Sequence, residues 1–177
     1  MTTIGILSDT HSCWDDRYAR HFADCDEIWH AGDLGDISIL VRLQEVCPVV
    51  RAVSGNIDHG DVARLCPKVE IFQVEGVNVF LTHIGGYPGR YAPGISDLLR
   101  QNRINLMVCG HSHILKVMPD PRLGLLHVNP GAAGCHGWQK VRTLVRLTID
   151  NGSVRSLDVI ELNPASHISD NTSDTQI

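Results

Sequence analysis

Five apolar runs in this 177-residue chain end in a residue able to ligate a metal ion. Asp9-Thr10-His11 follows the first, Gly32-Asp33 the second and Gly55-Asn56 the third. His83 follows Val77 to Leu81, and Gly110-His111-Ser112-His113 follows Leu106 to Cys109. In open α/β sheets ligands bind beyond the carboxyl ends of strands, so five such endings can converge on one crevice. Residues two apart in extended chain point the same way: Asp9 and His11 can face one ion, and His111 and His113 can serve that ion or its neighbour. Glycines precede Asp33, Asn56 and His111, where a Cβ would crowd a tight site. Carboxylates, an amide and several imidazoles, with no thiolate, suit Mn²⁺, Fe²⁺ or Zn²⁺ better than Ca²⁺ or Mg²⁺. Two divalent ions set against Asp9, Asp33 and a bridging hydroxide leave about +1 in a low-dielectric cleft, which fits a phosphoryl group. The chemistry predicted is two-metal hydrolysis of a phosphoester.

The elements that must hold these residues read as a βαβ rhythm: strand over 3–7, helix over 14–23, strand over 27–30. Ile37, Leu40, Val41, Gln44 and Glu45 outline a helix with one apolar stripe, and Val49 to Val53 forms the next strand. Residues 69–74 and 77–81 pair as a hairpin about Glu75-Gly76, 93–103 is helical and 106–109 is a buried strand. From Ile114 the pattern turns to strands over 114–118, 123–128, 143–149 and 154–160, the last two joined by Asp150-Asn151-Gly152, a strong hairpin signal. Residues 163–177 are polar with little to bury and predict a frayed tail, leaving a single domain over 1–162.

Composition agrees with one ordinary globular domain: 43% hydrophobic, 20% charged and 5% aromatic residues. A chain of this length hides roughly 70% of its unfolded surface, so it needs no disulfide or structural metal to fold. The net charge of −5 gives no basic footprint for a broad nucleic-acid or anionic-membrane surface. No apolar stretch is long enough to span a membrane, and Met1 to Asp9 has no basic leader pattern, which predicts a cytoplasmic protein. The six cysteines, at 13, 25, 47, 66, 109 and 135, form no C-x-x-C pair and are expected to be reduced and mostly buried.

Taken in order, Asp9-Thr10-His11, Gly32-Asp33, Gly55-Asn56-Ile57-Asp58, Thr82-His83, Gly110-His111-Ser112-His113 and Asn129-Pro130-Gly131 resemble the calcineurin-like metallophosphoesterases, specifically their small single-domain bacterial and archaeal phosphodiesterases. The resemblance spans about residues 3 to 160, and the ordered set is far more specific than any one motif. It implies an α/β fold with two mixed β-sheets packed as a sandwich flanked by helices. Carried over by position, it implies that Asp9, His11, Asp33 and His113 bind one metal and that Asp33, Asn56, His83 and His111 bind a second. Asp33 would be the bridge, and Asp33, Asn56 and His111 would act with a metal-bridging hydroxide on a small phosphodiester or nucleotide. The cofactors implied are two divalent transition-metal ions, Mn first, with Fe, Zn, Ni or Co as substitutes. In larger family members a His follows the Asn and serves the leaving group; here the residue is Ile57, as is common among small members. His59 is the nearby candidate for that acid. A second departure is Gly85, where relatives often read His-Gly-His.

Two other functions stay open, a phosphomonoesterase and a noncatalytic scaffold subunit, as does self-association into a homo-oligomer. All seven ligand positions hold competent donors, which argues against the scaffold. A zinc β-lactamase-like site is excluded because Ile114 and Leu115 follow His113, and a Rossmann dehydrogenase because no Gly-x-Gly-x-x-Gly follows the first strand. Other polar residues have structural readings. Asp36 caps a helix, Asp58 fixes the turn after Asn56, and Asn129 shapes the Pro130-Gly131 turn. His30 and His127 read as core residues, His21 and His167 as solvent-facing, and His136 as able to reach the cleft. The segment Gly85 to Gly94 is no P-loop; its Arg90 and Tyr87 are candidate contacts to the phosphate or leaving group.

Overall fold

The computed structural model describes residues 1–137 and 139–162; the tail expected over 163–177, with His167, lies outside them. In chain order the elements are β1 (Thr2–Leu7), α1 (Asp16–Phe22), β2 (Glu27–His30), α2 (Ile37–Val46), β3 (Val50–Ala52), α3 (Gly60–Leu65), β4 (Val69–Val74) and β5 (Val77–Thr82). They continue with β6 (Gly86–Tyr87), β7 (Arg90–Tyr91), α4 (Ile95–Gln101), β8 (Leu106–Val108), β9 (Leu115–Asp120), β10 (Leu125–Pro130), β11 (Thr143–Asp150) and β12 (Ser153–Glu161). Both expected glycine hairpins form, with left-handed turn residues at Glu75-Gly76 and at Asn151-Gly152. Two features had no strong local signal: α3, too short to show a helical period, and the two-residue ribbon β6/β7.

Two mixed five-stranded sheets result. The first runs β12, β11, β1, β2, β3, with β1, β2 and β3 parallel; the second runs β4, β5, β8, β10, β9, with β5, β8 and β10 parallel. Alternate residues of the central strands bury on opposite faces, so these strands read as continuous apolar runs. Ile4, Ile6, Trp29, Val79, Leu81, Val108, Val128 and Leu147 fill the layer between the sheets. Leu7 and Ile28 face outward onto Tyr18 and Phe22 of α1, Leu43 of α2 and Val62 of α3. Phe80 and Met107 face the other way onto Ile95 and Leu99 of α4. The expected α/β sandwich of two mixed sheets with flanking helices is therefore the fold. Among the described residues no helix is long and apolar enough to cross a membrane.

Local capping follows the sequence. Asp15 caps α1 by accepting from Arg17 N, and Asp36 caps α2 by accepting from Ser38 N at 2.8 Å. The cysteines divide. Cys25, Cys47, Cys66 and Cys109 are free and buried as expected, but Cys13 and Cys135 form a disulfide. They are 122 residues apart, in the loops after β1 and β10, and only the folded sandwich makes them neighbours.

Candidate metal centre

The seven candidate ligands sit on loops just past β1, β2, β3, β5 and β8, all at the carboxyl ends of parallel strands. They assemble into two triads. Asp9, His11 and His113 form the first; Asp33, His83 and His111 form the second, with the donor atoms of each triad within 4.8 Å of one another. Asn56 joins the second, its Oδ1 lying 3.0 Å from His83 Nε2. The triads are stitched together where His111 N donates to Asp9 Oδ2 at 3.1 Å. His11 N donates to the Asp33 carbonyl at 3.1 Å, and the Asp33 charge acts on His11 and His113 as well as on His83.

Backbone conformation marks the same residues. Asp9, His11, Asp33, His111 and His113 all have φ between 47° and 70°, in the left-handed region. Side chains other than glycine pay roughly 1 kcal/mol or more there, with Asp, Asn and His the most tolerant. Such clustering at one crevice is the pattern expected where geometry is kept for a ligand. Two glycines explain how so many donors fit. A Cβ on Gly55 would occupy the place of the Asp33 carboxylate, and one on Gly110 would collide with Ser8 Oγ and press on Asp9 Oδ2.

The donor set fits divalent ions on three observations. Donor atoms in both groups are spaced 3.0 to 3.3 Å apart: His11 Nε2 to His113 Nε2, His113 Nε2 to Asp9 Oδ1, His83 Nε2 to Asp33 Oδ2 and His83 Nε2 to Asn56 Oδ1. Ligands about 2.1 Å from a common ion are separated by about 3.0 Å in an octahedron and about 3.4 Å in a tetrahedron. Asp9 Oδ1 is fully buried yet makes no hydrogen bond, an acceptor left for a cation. The far ring nitrogens of two imidazoles are committed elsewhere: His83 Nδ1 donates to the Ala31 carbonyl at 2.8 Å and His113 Nδ1 to Gln139 Oε1 at 2.9 Å. This turns Nε2 toward the crevice, the arrangement that orients histidine ligands.

Electrostatics point the same way. Burial acts to raise the Asp33 carboxyl, but the His83 hydrogen bond and charge, with the Ile57 N–H, hold it below the ordinary carboxylate value. Burial acts to lower His83, and Asp33 and Asp9 overcome it to raise the imidazole. The adjacent Asp9 carboxylate, 3.2 Å away, raises His113 against burial. In contrast, burial takes Cys109 up to about 12, so no thiolate competes.

The remaining candidates divide. Arg90 and Tyr87 line a hollow that also contains His111. His59 caps α3 without a side-chain bond and lines a different hollow with Gly35, Asp36 and Asp61, in which no triad residue takes part. Ile57 is half-exposed, with only its backbone bonded to Asp33. His136 is exposed and joins neither triad. Asp58 ties two ligand loops together, accepting from Gly55 N at 2.8 Å, Gly35 N at 2.8 Å and Leu34 N at 3.2 Å. Asn129 accepts from Gly131 N and also donates to the Gly110 carbonyl, behind His111. His30 and His127 are core residues; burial takes His30 down to about 4 and lowers His127. Gln139, which orients His113, had no signal in the sequence.

The model of the calcineurin-like phosphoesterase superfamily domain matches residues 2–152. A probable metallophosphoesterase of Methanothermobacter thermautotrophicus is 30% identical over 139 residues, which is 73% of this chain and 76% of the relative. A solved novel archaeal phosphodiesterase superposes with a TM-score of 0.70 at 20% identity, covering 89% of this chain and 99% of the other. Zn²⁺-complexed Vps29 of Entamoeba histolytica superposes with a TM-score of 0.69 at 17% identity, covering 91% and 99%. At these identities the solved structures speak for the fold.

Proposed function

This chain belongs to the calcineurin-like phosphoesterase superfamily, and from that premise we propose that it is a phosphodiesterase acting on a small phosphodiester or nucleotide through two divalent transition-metal ions. Asp9, His11, Asp33 and His113 would hold one ion, Mn²⁺ being best suited, and Asp33, Asn56, His83 and His111 the other. The observation that supports the reading is the pair of linked donor triads, all of whose members except His83 lie on left-handed backbone.

Bound there, the ions would supply an acidified water for in-line attack and a clamp for the nonbridging phosphate oxygens. The chain's own residues do the rest. Asp33, held below the usual carboxylate range, stays ionised beside His83, and its charge also reaches His11 and His113. Ala31 and Gln139 fix the imidazoles of His83 and His113. His111, the exposed member of its triad, also lines the hollow of Tyr87 and Arg90, from which a substrate would approach. With Ile57 after Asn56, no imidazole protonates the departing arm from that position, so good leaving groups are favoured.

The test is reconstitution of chelator-stripped protein with Mn²⁺ or Mg²⁺, followed by assay on bis(p-nitrophenyl) phosphate and p-nitrophenyl phosphate. We expect activity with Mn²⁺ above Mg²⁺, and diester above monoester. The likeness in fold to Vps29 favours a second reading, a protein-interaction subunit. Folded, metal-loaded protein inert toward every phosphoester would replace the enzyme reading with that one.

A further inference from the structure

A hollow of about 270 Å³ opens beside His111, walled on one side by the β6/β7 ribbon and floored by Lys116 of β9. The ribbon is pinned to the second sheet at three points. His127 Nε2 donates to the Gly86 carbonyl at 3.0 Å, Tyr91 Oη donates to Asp120 Oδ2 at 2.6 Å, and Lys116 Nζ stands 3.7 Å from the centre of the Tyr87 ring. The wall is thus preorganised, which lowers the cost of binding against it.

Its charge is one-sided. Lys116 and Arg90 both line the hollow, and no acidic side chain among the described residues does. Asp120, at the end of β9, is turned away, accepting from Tyr91 and from the backbone amides of Arg122 and Leu123. In a chain of net charge −5, two such cations beside a metal centre are a local anion site. A lone scissile phosphate is already matched by the metal centre, so this second positive region is surplus to it.

Resting on the phosphodiesterase reading, we propose that this hollow binds a second phosphate on the same substrate, received by Lys116 and Arg90. The substrate class is then a phosphodiester with a terminal phosphate, such as a 5′-phosphorylated linear dinucleotide. Lys116 offers a compact charge already oriented by Tyr87, and Arg90 a planar fork able to grip two phosphate oxygens.

The experiment compares a linear dinucleotide with and without its 5′-phosphate, first by calorimetric binding to the chelator-stripped full chain, then by hydrolysis with Mn²⁺. The phosphorylated form should bind about tenfold more tightly, the effect of one well-placed charge-assisted contact. Lys116→Gln and Arg90→Gln should each shrink that ratio toward one, Lys116→Arg should restore part of it, and the hydrolytic preference should follow through KM. Equal affinity for the two dinucleotides, or variants that weaken both alike, would overturn the subsite. A binding preference without hydrolysis of either would keep the subsite and overturn the phosphodiesterase reading. Hydrolysis of both without preference would do the reverse.

Discussion

The two triads use similar donors but are held by different means. In the first, Asp9, His11 and His113 all lie on left-handed loop backbone, and His113 is oriented by a side chain, Gln139. Gln139 is itself held by the Gly134 and His136 carbonyls at 3.0 and 3.1 Å. That loop is bound to the loop of Asp9 and His11 by the Cys13–Cys135 disulfide. In the second, Asp33 and His111 are also left-handed, but His83 leaves β5 directly on ordinary backbone and is oriented by a backbone carbonyl, Ala31, just past β2. One triad is therefore fixed by side chains on loops and the other by main chain at the sandwich seam. Substitutions can loosen the first piece by piece, whereas the support of the second cannot be removed without disturbing the sheets.

The largest expected effect ignores this difference. Asp33→Ala should empty both sites and lower phosphoesterase activity by about 10³-fold or more, since several kcal/mol of transition-state stabilisation would go with the ions. Metal analysis of the purified variant checks this, and full occupancy would remove the bridging role.

Gly55→Ala should disturb the same carboxylate without removing it. Its new Cβ falls on the Asp33 carboxylate and backbone nitrogen, so the variant should lose about 1 to 3 kcal/mol of stability from overpacking and bind both ions more weakly, though less severely than Asp33→Ala. Thermal unfolding with a metal titration measures both, and two unchanged sites would show that Asp33 has room to shift.

Gln139→Ala sharpens the contrast from the other side. Loss of a group that orients a ligand typically costs about 10- to 100-fold in metal affinity. The loss should fall on the first ion alone, and equal weakening of both ions in a competition titration would contradict the separation of supports.

The smallest effect concerns Asp15, which accepts from Arg17 and pairs with Arg142 at 2.9 Å, while Arg142 holds the Ala133 carbonyl at 2.7 Å in the loop behind the first triad. The Arg17 hydrogen bond, opposed by burial, holds the Asp15 carboxyl well below its ordinary value. A depressed folded value means that the stabilisation is present above the unfolded value of about 3.9 and fades as pH falls below it. Asp15→Asn keeps an N-cap acceptor but loses the charge that faces Arg17 and Arg142, and should therefore cost about 1 kcal/mol at neutral pH. The gap from the native protein should close below about pH 4, and a constant gap in denaturant melts across that range would exclude an ionic origin.

Much of this is legible in the sequence. Asn151-Gly152 and Glu75-Gly76 announce their hairpins because turn geometry is a local demand on φ. The strand endings announce the donors because a ligand must follow a strand that stops at the crevice. Asp36 behaves as its position predicts, and so does Asp58 in its bond to Gly55, since capping and turn bonding reach only a few residues; the bonds of Asp58 to Leu34 and Gly35 come from the tertiary fold. By contrast, the short helix α3 and the β6/β7 ribbon escape pattern reading because neither is long enough to show a period.

What the sequence by itself determined was therefore the identity of the donors, the strands that carry them and the glycines that make room. These rest on alternation, turn chemistry and side-chain type, all properties of neighbouring residues. The grouping of those donors about two ions came from the resemblance to a family and not from local spacing, and the tertiary structure alone decided that Gln139 orients His113, that Lys116 lies over Tyr87 and that Cys13 meets Cys135. These depend on how the two twisted sheets stack and where their loops emerge, which brings together residues such as Cys13 and Cys135, 122 positions apart, that no local spacing relates.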